Sequence, residues 1–130
     1  MPNDAIEITK ARNMAEQALL GAILLSGATG TRQAIQEVAT IISPEDFSLD
    51  LHQRIYKAML QCDKPPHEIN VAYEMARQNN LQKLDYSFMV ETIVNTPCWL
   101  DYLDYADKVK AYSLQRQGIK RPIIRGAYAS

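Results

Sequence analysis

Apolar residues recur along the chain at spacings of three and four, the interval at which helical side chains share a face. Leu19, Leu20, Ile23 and Leu24 form the first such group. Asn13-Met14-Ala15-Glu16 precedes them, with an Asn three residues before a Glu in the manner of a capping box. This predicts a helix that starts at Asn13 and stops at Gly27. Ala34, Ile35, Val38, Ile41 and Ile42 predict a second helix, from about Thr31. Ser43-Pro44-Glu45-Asp46 offers an N-cap, a proline at the first helical position and two acids in the first turn, so a one-turn helix should end near Phe47.

Leu51, Ile55, Met59 and Leu60 predict a third long helix over 49–62, closed by Lys64-Pro65-Pro66 because two prolines cannot continue it. Asn70 is placed to cap a short helix over 71–78, with Asn79-Asn80 as its exit. Asp85 can start another through Asn95, with Phe88, Met89 and Ile93 facing inward, before Thr96-Pro97 breaks the chain. The last helix, from about Leu100, carries Leu103, Ala106, Val109 and Leu114. No segment alternates cleanly between hairpin turns, so the expected fold is all-α, a multi-helix globular domain. Its core should hold Leu19, Ile23, Val38, Phe47, Ile55, Met59, Ile93 and Val109.

Composition supports this picture and narrows the function. A chain of 130 residues, 47% hydrophobic with a net charge of −1, suits one soluble domain and leaves no room for a motor beside it. The charge is uneven: residues 1–107 hold 8 basic and 15 acidic residues, whereas residues 108–130 hold 6 basic residues and no acid. That basic end is a possible electrostatic footprint for nucleic acid, but no basic face accompanies it elsewhere, and direct DNA binding is not expected. Cys62 and Cys98 lie far apart, in no metal-ligand spacing, and read as free thiols of a reducing cytosol. His52 and His67 have no ligand-spaced partner, so no metal site is expected. Lys10 and Arg12 ahead of the apolar run 18–25 imitate a signal peptide, yet Glu16 abuts the run and eight residues cannot span a bilayer; neither export nor membrane insertion is expected.

Catalytic motifs are missing. There is no G-x-x-x-x-G-K-S/T phosphate loop, and Gly27-Ala28-Thr29-Gly30-Thr31 reads as a helix-to-helix turn without the lysine that phosphate binding needs. No serine sits in a nucleophile elbow. Asp101, Asp104 and Asp107 share a helix face but read as a solvated stripe. His52 reads as a structural hydrogen-bonding group, and Gly21, placed mid-helix, as a site of close helix approach or a tolerated glycine. The residues alone describe a small all-helical interaction module.

The order of segments says more. Ala15-Glu16-Gln17-Ala18-Leu19-Leu20-Gly21-Ala22-Ile23-Leu24-Leu25 resembles the opening helix of DnaB-type replicative helicases. Pro44-Glu45-Asp46-Phe47 and His52-Gln53-Arg54-Ile55-Tyr56-Lys57-Ala58-Met59 are similar to that family's P-E-D-F … H-x-x-I-F/Y-x-A-M segment, while Ile69-Asn70-Val71 keeps only a remnant of its P-I-D-x-V-T-V. Asn95-Thr96-Pro97, Tyr105-Ala106-Asp107-Lys108-Val109, Arg116 and Ile119 match N-T-P … Y-A-x-x-V … R-x-x-I.

The resemblance covers residues 13–119 and implies a helicase amino-terminal collar domain, which pairs with copies of itself, sits above the motor domains and docks the carboxy-terminal domain of primase, in the cytoplasm. It implies no cofactor here, since ATP and Mg belong to the family's motor domain. The implied layout is a flexible arm (1–12), a globular domain (13–99), the first helix of a truncated hairpin (100–119) and a basic tail (120–130). Phe88, Val109, Tyr112 and Ile119 are the implied partner-binding residues, the last helix being left partly uncovered at Val109, Tyr112 and Leu114. Gly118 and Pro122 depart from the family by interrupting the hairpin helix. Two other readings stay open: a stand-alone regulator of phage or plasmid type that mimics the collar, and a small helical nucleic-acid binder with a basic tail.

Overall fold

The computed structural model describes residues 2–118. Its elements are α1 (Pro2–Ala28), α2 (Gln33–Val38), a 3-10 turn (Pro44–Asp46), α3 (Asp50–Gln61), α4 (Glu68–Arg77), α5 (Asp85–Asn95), a second 3-10 turn (Trp99–Asp101) and α6 (Tyr102–Arg116). Among the described residues there is no strand, as the absence of alternating segments foretold.

The second half of α1 is the axis of the domain. Leu19, Leu20, Ala22, Ile23 and Leu24 are all fully buried. With Gly21, also buried, they make six consecutive buried residues that go right round the helix, and a helix buried on all sides belongs inside. Accordingly α2, α3, α5 and α6 all pack against it. Tyr102, at the start of α6, donates its hydroxyl to Glu37 on α2 at 2.9 Å, next to the α1 exit. Ser113, near the end of α6, reaches Asp46, two residues from the Ser48 amide that Glu16 of α1 binds. α6 therefore runs antiparallel to α1.

Two glycines permit this packing. A Cβ on Gly21 would lie 1.8 Å from Thr96 Oγ1 and 3.0 Å from the Thr92 carbonyl oxygen, so close approach to α5 is the reason for that residue. A Cβ on Gly27 would lie 2.5 Å from the Pro66 carbonyl carbon and 2.7 Å from the His67 nitrogen. Gly27 is thus still helical and serves the approach of the α3–α4 loop; the chain turns at Gly30, whose φ is +92°.

Several expected boundaries move. α1 begins at Pro2, so Asn13 is mid-helix and caps nothing, and the segment expected as an arm is helical over 2–12. Nothing in that segment stops a helix, and each added residue needs only one further hydrogen bond once the helix is nucleated. α2 ends at Val38 rather than near Ile42; turns carry the chain onward, with the Ile41 N–H donating to the Val38 carbonyl at 2.9 Å. α4 starts at Glu68, capped by His67, whose Nδ1 accepts the Ile69 N–H at 3.2 Å. Asn70 is inside that helix and donates to the Pro65 carbonyl at 2.8 Å. Asn79, at φ 56°, provides the exit where it was expected.

Elsewhere the structure agrees with the sequence pattern. The Pro44–Asp46 turn has its capping box between Ser43 and Asp46, and α5 spans the expected residues. Gly118, at φ +83°, closes α6 with its N–H on the Gln115 carbonyl at 3.0 Å. Leu19, Ile23, Val38, Phe47, Ile55, Met59 and Val109 are fully buried in one core, with Ile93 partly buried against it.

Candidate partner-docking face

Three buried carboxylates fix the walls on which the candidate residues stand. Glu16 and His52 are 0% and 1% exposed, and His52 Nδ1 lies 2.7 Å from Glu16 Oε1. The Ser48 N–H donates to both Glu16 oxygens, at 3.0 and 3.1 Å. The hydrogen bond expected of His52 is therefore made to α1, and it joins α1 to the start of α3. Burying such a group is costly unless it is paired, and here it is paired.

The second carboxylate, Asp46, accepts from the Ser43 N–H at 2.8 Å, from Ser113 Oγ at 2.6 Å and from Lys110 Nζ at 3.4 Å. Burial alone would raise its pKa. The hydrogen bonds from Ser113 and the Ser43 amide, with the Lys110 charge, outweigh this and hold the carboxyl below its ordinary range. Burial, with the Asp46 charge added, raises the Tyr56 phenol on α3. Tyr56 keeps its proton and donates to the Ile42 carbonyl at 3.0 Å. The third carboxylate, Asp85, takes a two-pronged bond from Arg54 at 2.7 and 3.3 Å and the Gln82 N–H at 2.8 Å, fixing α5 to α3. That bond, chiefly, raises the Arg54 pKa.

Phe88 is half-buried on α5, and its ring lies over His52 with centroids 5.4 Å apart at 32°. Tyr112 is half-buried on α6 and packs against the core. Val109 does not belong with them. It is fully buried, because α6 packs directly on α1 and α2 and has no need of a hairpin partner to cover it; Leu114 is buried for the same reason. Ile119 lies outside the described residues. Phe88 and Tyr112 stand on different helices, both of which flank α1.

The sequence reading missed an outer stripe. Tyr86, Val90 and Val94 follow one another at spacings of four on α5 and are exposed, Val94 by 77%. Met14 is also exposed and lines a shallow notch with Thr92, Asn95 and Pro97. The signal was present: α5 carries apolar residues at spacings of four to one side of Met89 in addition to those on its own face. On α4, exposed Ile69 and Tyr73 border a cleft of about 560 Å³ lined by Asp63, Lys64, Glu74 and Arg77. The Arg77 hydrogen bond holds the Glu74 carboxyl below its ordinary range. Among the described residues, no three of His, Cys, Asp and Glu gather as a metal site, and no helix is long and apolar enough to cross a membrane.

Buried polar groups that join helices to one another, beneath exposed apolar side chains, define an all-helical domain. The family is also defined: residues 9–111 match the DnaB-like helicase N terminal domain, and the chain belongs to that family. Over 110 residues it is 32% identical to the replicative DNA helicase DnaB of Geobacillus stearothermophilus, an alignment covering 82% of this chain and 23% of that helicase. The chain thus spans under a quarter of that relative. The N-terminal domain of the DnaB helicase from Mycobacterium tuberculosis shares the fold, with a TM-score of 0.72, 28% identity, and coverage of 82% of this chain and 77% of that one.

Proposed function

We propose that the chain is the non-catalytic interaction and oligomerisation module of a replicative DNA helicase, which pairs with its own kind and docks the carboxy-terminal domain of primase. Strand separation and ATP hydrolysis then belong to a motor domain of the kind that makes up the rest of such helicases. The observation that carries the reading is the family match over residues 9–111, which coincides with the folded body of the domain. Phe88 supports it locally: a half-exposed aromatic ring on a rigid floor is the type of residue that anchors interfaces. Tyr112 belongs to the proposed face and Val109, being interior, has no part in it.

The test is calorimetric titration of the chain with purified primase carboxy-terminal domain. Phe88→Ala should weaken binding by about ten-fold or more at a temperature well below the variant's own melting transition, which drops because Phe88 also packs against the core. Unchanged affinity would remove Phe88 from the face, and no binding by the parent chain would overturn the docking role.

A further inference from the structure

Of the four side chains that reach Asp46, one is its capping-box partner Ser43, whose Oγ lies at 3.3 Å, and the other three come from one helix end. Lys110, Ser113 and Arg116 are spaced by three along α6, which puts them on one side of its last two turns. Lys110 and Ser113 bind the Asp46 carboxylate, and Arg116 donates to the Asp46 backbone carbonyl at 3.3 Å and to that of Glu45 at 3.4 Å. Asp46 itself is 3% exposed and held from below by the Ser43 amide, so it is a fixed point. Past Ser113 the apolar hold of α6 is slight. Leu114 is its last buried residue, and residues 115–118 are exposed.

We infer that Asp46 is a positioning residue that latches the last two turns of α6, and thereby sets both how Tyr112 is presented and how the helix end at 115–118 is held. A carboxylate suits the task because it accepts several donors at once, from a hydroxyl, an ammonium and an amide. Its bonds are charge-assisted and shielded by burial, which strengthens them. An asparagine in its place keeps the shape but loses the charge and part of this accepting capacity. The inference is independent of which partner the face receives.

Hydrogen exchange on the full 130-residue chain tests it, comparing the parent with Asp46→Asn. Amides in residues 110–117 should exchange roughly ten-fold faster or more, while α1 beyond Ala15 and α3 keep their protection. In parallel, fluorotyrosine incorporation should show the Tyr112 resonance, assigned by Tyr112→Phe, moving toward that of a free tyrosine while the signal of Tyr105, bonded to the Cys98 carbonyl at the start of α6, stays in place. Unchanged exchange at 110–117, or a rise spread equally over all helices, overturns the latch. Should Asp46→Asn fail to fold, Ser113→Ala decides. It removes one bond, must by itself speed exchange at 110–117 several-fold, and overturns the inference if it does not.

Discussion

At the scale of single residues, the most exacting positions are two glycines whose importance is spatial. Both lie within α1, where an alanine would ordinarily gain about 1 kcal/mol in helix propensity. At Gly27 the added Cβ would meet the backbone of Pro66 and His67, atoms that cannot turn aside. At Gly21 it would first meet the Thr96 hydroxyl, the end of a side chain, although the Thr92 carbonyl stands 3.0 Å away. Overpacking of this kind typically costs 1–3 kcal/mol. Gly27→Ala is therefore expected to destabilise the domain by about 3 kcal/mol and Gly21→Ala by about 1–2 kcal/mol. Urea midpoints at constant slope measure both, and a Gly27→Ala variant as stable as the parent would refute the contact. The sequence hinted at Gly21, whose cost mid-helix invites a reason. It hid Gly27, which looks like a helix stop until the Pro66 backbone is seen against it.

Whole elements were legible wherever the chain carries its own punctuation. Ser43-Pro44 opens a turn, Pro65-Pro66 forbids a helix and Asp85 begins one, and the structure agrees at each. Where punctuation is ambiguous the reading slipped. Asn13 looks like a cap but sits among residues that propagate a helix without strain, and His67 caps α4 with an imidazole nitrogen, a role that residue type seldom advertises. The extra turns of α1 have little hold on the rest. Residues 5–11 are all exposed, and Thr9 Oγ1 donates to the Ala5 carbonyl at 2.9 Å, a bond internal to the helix. Stability follows burial more than helical form. Deleting residues 1–10 is thus expected to change unfolding free energy by less than about 1 kcal/mol, read from urea denaturation of the shortened chain. A loss of several kcal/mol would mean that these turns brace the core.

For the molecule as a whole, the candidate site was legible only in part, and burial is the reason. Periodicity tells which residues share a face, but not which face another helix will cover. Val109 and Leu114 looked like a stripe awaiting a partner, and α1 turns out to be that partner. Tyr86, Val90 and Val94 were assigned no role from the sequence, and they form an uncovered stripe. The exposed apolar surface has therefore shifted toward α5 and the neighbouring Met14, with Tyr112 keeping a half-buried place on α6. Scattered apolar residues are normal on a surface, whereas a run along one helix marks a contact. A single helix stripe covers less area than a standard interface needs, so any pairing it supports is weak. We expect the chain to form a dimer that dissociates on dilution, and no closed hexamer. Sedimentation across a concentration series decides between these states. Val94→Asp should then lower dimer affinity by more than Tyr112→Ala if α5 is the pairing surface, because a charge would be trapped in the apolar contact. The reverse order would put the contact on α6, and a strict monomer at high concentration would leave pairing without a surface in this domain.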